Sequence, residues 1–161
     1  MIIRNTLPTD LDSVMEIYSL AREFMRKSGN PTQWGGGYPS RELIESDIAS
    51  GLSYVVEDDG EVVATFFFKI GTDPTYLKIY DGEWLDESSY GVIHRIAVKY
   101  HGRGIIAEVF SFCSTLSESI RIDTHADNIP MQTALKKHGF TRCGIIYLPS
   151  GDERIAYQRI S

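Results

Sequence analysis

Ala97-Val98-Lys99-Tyr100-His101-Gly102-Arg103-Gly104-Ile105-Ile106-Ala107 decides the fold class, because it joins a buried strand to an amphipathic helix through a turn built on two glycines. Upstream, Val92-Ile93-His94-Arg95-Ile96-Ala97-Val98 is nearly continuous in apolar residues, the pattern of a strand covered on both faces. Downstream, Ile105, Val109, Phe110, Cys113 and Leu116 recur on one side of a helix. Gly102 and Gly104 let the chain turn tightly and bring backbone N–H groups close to a ligand. The first turn of the helix leaves N–H donors unpaired and the positive end of its dipole outward, which suits a pyrophosphate. Arg103 and Lys99 add positive charge beside it. The stretch is not a nucleotide P-loop, since the closing Gly-Lys-Ser/Thr is absent, and it lacks the third glycine of the dinucleotide fingerprint.

Working outward, Ile2-Ile3-Arg4-Asn5 reads as a short strand. Leu11, Val14, Met15, Tyr18, Ala21 and Met25 follow at helical period, with Thr9 as the expected cap and Gly29-Asn30-Pro31 as the stop. A glycine-rich loop over 28–39 carries Trp34 and Tyr38, and Ser40 is expected to cap a second helix ended by Gly51. Runs 53–57 and 61–68 flank Asp58-Asp59-Gly60, a hairpin signal. Residues 71–89 form a long excursion rich in Asp, Pro and Tyr, of the kind that faces a substrate. Beyond the helix at 105, a strand over 119–124, a short helix over 131–137 stopped by Gly139, and strands over 141–148 and 154–160 complete the chain. The order is strand, two helices, three strands, helix, strand, helix, two strands. That order fits a mixed α/β sheet with helices on both faces, and residues 1–161 read as one domain.

The composition is 42% hydrophobic and 24% charged, which excludes a disordered chain. A net charge of −6 argues against a nucleic-acid binder. Cys113 and Cys143 form no CxxC pair, so neither a disulfide framework nor a zinc site is expected. Met1-Ile2-Ile3-Arg4 lacks the layout of a secretory signal, and no apolar run approaches the ~18 residues of a membrane span. A cytoplasmic protein with reduced thiols and no membrane partner is therefore expected.

The turn resembles the acetyl-CoA loop of the GNAT superfamily of acetyltransferases, Gln/Arg-x-x-Gly-x-Gly/Ala after a strand ending in Leu-Ala-Val. Here Ile96-Ala97-Val98 precedes His101-Gly102-Arg103-Gly104-Ile105-Ile106. The family also carries an Asn before a short helix that ends in Gly-Phe, and Asn128 with Gly139-Phe140 matches that spacing. The element order agrees over essentially the whole chain. Three positions differ from the pattern. His101 replaces Gln or Arg, Ile106 replaces a small residue, and Leu135 stands where a helix tyrosine often serves as general acid. The acid would then come from bulk water or Tyr147.

The resemblance implies a GNAT-like fold with a central, mostly antiparallel sheet, and acetyl-CoA as cosubstrate without a metal. The pantetheine arm would pair along Ile96, Ala97 and Val98. The pyrophosphate would meet the N–H groups from Gly102, Arg103, Gly104, Ile105 and Ile106 to Ala107, and Asn128 would lie near the thioester end or the pantetheine. The acceptor would be a primary amine of a small molecule or a peptide.

Acetyl transfer to an amine needs deprotonation of the amine, polarisation of the carbonyl and departure of a thiolate. The resemblance assigns the carbonyl to the Val98 N–H. The proton falls to His94, since an imidazole with an ordinary pKa of about 6.5 accepts protons near neutrality. Strand alternation would put Val92, His94, Ile96 and Val98 on one face and Arg95 on the other, as an ion-pair partner. Asp123 and His125 would share a face if their strand continues, with Asp123 orienting a histidine or holding a cationic substrate. Trp34 and Tyr38 would wall the acceptor pocket. Two further readings stay open on residues alone: a non-catalytic acyl-CoA-binding module, and an unrelated phosphate binder with similar strand–turn–helix geometry. Oligomeric state is open too, since the closing strands could pair with a second copy.

Overall fold

The computed structural model describes residues 1–161, in which seven strands form one sheet between two layers of helix and loop. In chain order the elements are β1 (Ile2–Asn5), α1 (Leu11–Lys27), α2 (Arg41–Ala49), β2 (Ser53–Asp58), β3 (Glu61–Ile70), β4 (Gly91–Val98), α3 (Ile105–Leu116), β5 (Ser119–Thr124), α4 (Ile129–Lys137), β6 (Thr141–Tyr147) and β7 (Glu153–Ile160). The sheet runs β1-β2-β3-β4-β5-β7-β6. Every pair is antiparallel except β4–β5, which α3 connects as a crossover. No helix is long and apolar enough to cross a membrane.

One face of the sheet buries Phe66, Phe68, Ile93, Ile96, Val98, Ile120 and Ile122 against Ile105, Val109 and Phe110 of α3 and Leu135 of α4. The opposite face is covered in two parts. Val14, Ile17, Tyr18 and Ala21 of α1, with Ile44 of α2, pack on Val55 and Ala97. Tyr76, Trp84 and Tyr90 of the 71–90 excursion pack on Val92, Cys143, Ile146 and Ala156. The excursion is thus a second cover for the sheet, apolar where it touches the strands. It is tied to β6 by reciprocal bonds between Tyr80 and Ile145 (2.8 and 2.7 Å). The approach is so close that a Cβ at Gly144 would stand 2.5 Å from the Tyr80 carbonyl oxygen.

Ser40 caps α2, accepting the Leu43 N–H at 3.1 Å, as its sequence position implies. Thr9 does not cap α1. Pro8–Asp10 instead forms a 3-10 turn leading into the helix, and the Asp10 carboxylate accepts the Leu7 N–H (2.7 Å) while pairing with Arg4 (2.8 Å). Helix α4 begins two residues earlier than the sequence pattern suggests. The Asn128 side chain accepts the Met131 N–H (3.1 Å), and Pro130 sits in the first turn, where its missing N–H costs nothing.

Candidate active site

The site originates in an irregularity of β4. Its pairing with β3 runs Thr65↔Ala97 and then Phe67↔His94, so two steps on β3 face three on β4. The extra residue is Arg95, whose φ of 53 puts it in the left-handed region. A non-glycine residue held there stores about 1–3 kcal/mol of strain, and the surroundings oppose its release. The Arg95 guanidinium binds both oxygens of Asp47 (2.8 and 2.9 Å) and lies over the Phe67 ring at 4.6 Å. The Tyr18 hydroxyl donates to the Arg95 carbonyl at 2.7 Å. Burial pushes the Tyr18 pKa up, which keeps that hydroxyl a donor.

The bulge corrects two expectations from strand alternation. His94 does not share a face with Ile96 and Val98, because the inserted residue reverses the alternation between them: Ile96 and Val98 enter the α3 core, whereas His94 lies near Phe67 on the α1 side. Arg95 also reaches Phe67, so it shares the face of His94 instead of opposing it. Its expected ion pair is present, with Asp47.

The bulge also parts the sheet. Strands β4 and β5 pair only at Gly91↔Ile120 and Val92↔Arg121. Past Val92 they diverge, and a cleft of about 570 Å³ opens between Ile93–Ile96 and Ile122–Thr124. Its size is that of an ordinary ligand site. Trp34 and Tyr38 line it from the loop between α1 and α2, and Asp73 and Thr75 from the excursion.

Within the cleft His94 Nε2 stands 2.7 Å from Asp73 Oδ2. Burial alone would raise the Asp73 pKa, but the bonds from His94 and from the Thr75 hydroxyl and amide outweigh it and bring it down to about 2. An ionised carboxylate only accepts, so Nε2 carries the proton and Nδ1 is the ring nitrogen left for a substrate. Asp123 is in the cleft too, accepting the buried Tyr76 hydroxyl at 2.7 Å. Burial first, and the Asp123 charge second, hold the Tyr76 pKa well above normal.

A narrower apolar groove of about 220 Å³ continues from the cleft toward the glycine turn. Ala21, Phe24 and Met25 of α1 form one wall, Ile96–Val98 the floor, and Ile106, Pro130, Met131 and Ala134 the other wall. Met25, Ile96, Asn128 and Met131 border both cavities. At the far end Gly102 (φ 77) and Gly104 (φ 73) adopt the left-handed conformation, with Gly104 as the cap residue of α3. Open space surrounds the position a Cβ would take on either, and the first-turn amides of α3 have no acceptor within the helix. Lys99 is less available than its position suggests, being engaged by Glu61 (3.0 Å) and Glu16 (3.7 Å). Arg103 stacks on Tyr100 at 4.0 Å. His101 stacks on Phe24 with ring centroids 4.0 Å apart, and partial burial lowers its pKa.

These features fit a coenzyme A thioester. The β4 edge that faces β5 has no partner beyond Val92, the groove is lined mostly by apolar residues, and the turn presents amides to a diphosphate. The buried Thr124 hydroxyl in the cleft lining has no protein partner, as expected of a group kept for a ligand. Ile106 forms part of the groove wall and packs on the core.

The structure brings together His94, Asp123, Trp34, Tyr38, Ile96 and Asn128, and it separates the other two candidates. β5 ends at Thr124, so His125 does not continue the face of Asp123: its Nδ1 accepts the Asp127 amide (2.9 Å) in the loop before α4. Tyr147 is exposed on β6, edge-on to Tyr80, with its hydroxyl 3.5 Å from Glu153 and away from the cleft lining. Leu135 is fully buried in the α4–sheet core and faces neither cavity. Asp73, Arg154 and Met25 line the cleft without having been marked in the sequence. No group of three His, Cys, Asp or Glu residues is placed to hold a metal ion.

No protein-family profile matches the chain, and no curated protein matches it. A GNAT-family acetyltransferase from Streptococcus agalactiae 2603 superposes with a TM-score of 0.88 at 34% identity, covering 99% of this chain and 95% of the other. GNAT-family acetyltransferases from Listeria monocytogenes 4b F2365 (TM-score 0.72, 20% identity, 99% and 94% covered) and Bacillus cereus ATCC 10987 (TM-score 0.62, 21% identity, 99% and 96% covered) share the fold.

Proposed function

Since this chain belongs to the GNAT superfamily of acetyltransferases, we propose that it moves an acetyl group from acetyl-CoA to a primary amine held in the cleft between β4 and β5. The observation that carries this reading is the junction of the two cavities at Met25, Ile96, Asn128 and Met131, beside a strand edge with no partner. When bound, acetyl-CoA supplies an activated acyl carbon and a thiolate leaving group.

The chain's own residues have separable tasks. Ile96, Ala97 and Val98 offer backbone groups to an extended amide-bearing arm, and the Val98 N–H is the donor for the acyl oxygen. The amides from Gly102 to Ala107 receive the diphosphate. His94 takes the amine proton on Nδ1, while Asp73 holds the ring in the tautomer that leaves that nitrogen free and stabilises the charge it gains. Asp123 attracts the cationic amine into the cleft, and Trp34 and Tyr38 exclude water from it.

The test pairs isothermal titration of acetyl-CoA with thiol release over an amine panel. Saturable binding with release from at least one amine supports the reading. Binding without release from any amine makes the chain an acyl-CoA-binding module, and acetyl-CoA binding no tighter than ATP overturns the cofactor itself.

A further inference from the structure

Arg154 is a buried cation without a counter-ion. It lies on β7, two residues from Ala156, which pairs directly with Asp123 of β5. Its side chain lines the same cleft as His94 and Asp123, and the residue is only 6% exposed. Its hydrogen bonds go to main-chain oxygens alone, Nη1 to the Glu153 carbonyl (2.9 Å) and Nη2 to the Gln33 carbonyl (3.3 Å). Arginines that grip a carboxylate show the contrast, Arg4 and Arg95 at 2.8 Å and Arg41 at 3.0 Å, while Arg121, buried without a carboxylate, is sandwiched over the Trp84 and Tyr90 rings that Arg154 lacks. A guanidinium has five N–H donors in a fixed fork, and a buried charge left without an opposite charge is costly. The acidic residues of the lining do not relieve it. Asp73 is bound to His94, Asp123 to Tyr76, and Asp152 is exposed and unpaired with Arg154.

We propose that Arg154 receives a carboxylate of the acceptor, so that the substrate is a small amine that also bears a carboxylate, an amino acid or a compound built like one. The inference rests on the acetyltransferase reading above and adds the acceptor's chemical class. The spacing agrees with it. Diagonal neighbours on adjacent strands lie about 7–8 Å apart, so Arg154 and Asp123 are within reach of the two ends of a zwitterion. The amine end meets Asp123 and His94, the carboxylate end meets Arg154, and the Trp34 and Tyr38 rings flank the remainder.

The experiment compares, on the unmodified protein, thiol release with a set of amino acids, their amides and their decarboxylated amines. It is repeated on Arg154→Gln and Arg154→Lys, with acetyl-CoA titration reporting that each variant is folded. Calorimetric binding of the preferred amino acid to the CoA-loaded protein gives a readout independent of turnover. The expected result is a kcat/KM at least about 10-fold higher for the acid than for its amide. That preference and the binding are lost in Arg154→Gln and partly restored in Arg154→Lys. Equal rates for acid and amide overturn the inference and leave the acetyltransferase reading standing. No release from any amine overturns both. If Arg154→Gln does not fold, the acid–amide comparison on the unmodified protein decides alone.

Discussion

Asp73 shows how one residue couples the excursion to chemistry. It is anchored by Thr75 in its own 3-10 turn, and its second oxygen fixes the ring of a histidine 21 positions away. Replacing His94 with Ala removes the proposed proton acceptor. The expected outcome is a fall in kcat of about 10²–10⁴-fold with acetyl-CoA affinity retained in calorimetry, and full activity with an unaltered pH–rate profile refutes the role. Asp73→Asn tests the partner through stability. The folded-state pKa of Asp73 lies near 2, below its ordinary value of 3.8, so its contribution is complete above about pH 4 and disappears as pH falls toward 2. Urea denaturation at pH 7 should find the Asn variant about 1–2 kcal/mol less stable, after allowance for solvent screening. The gap should close by pH 2, and a gap independent of pH rules out the bonds to the ionised Asp73 carboxylate as its source. Asp73 escaped the sequence reading because a stretch with several aspartates gives no sign of which one folds back on a strand. His94 could be read, since a polar side chain in an apolar strand is conspicuous.

At the scale of elements, the decisive object is the kink in β4, which had no sequence signature. Arg95 is neither glycine nor asparagine, and nothing in Val92–Val98 marks an inserted residue. It exists because Asp47 of α2, Tyr18 of α1 and Phe67 of β3 converge on Arg95 from three other elements, so tertiary contacts override local preference. Strand and helix order, by contrast, was legible in full from period and turn residues, as was the glycine turn before α3. Tyr18→Phe tests the support for the kink. It strands the Arg95 carbonyl and should cost about 1–3 kcal/mol in urea denaturation. A cost near zero would mean that the Arg95–Asp47 pair holds the bulge unaided.

At the scale of the whole molecule, α1 with α2 and the excursion share one face of the sheet, and the opening lies where these two covers and the parted strands meet. Position in the sheet, more than any one motif, gathers His94, Asp123 and Arg154 from distant parts of the chain, and the loop between α1 and α2 brings Trp34 to them. The shared border of cleft and groove has a kinetic corollary. On the proposed reading each reactant would enter a compartment of its own, so both would reside on the protein at once and the acyl group would cross directly between them. No thiol waits along the way to carry it: burial pushes the Cys113 pKa to about 12, and Cys143 lies under the excursion. Double-reciprocal plots at several fixed concentrations of the second reactant should therefore intersect, whereas a parallel family would reveal a relay through a modified enzyme, carried by a group other than these two thiols.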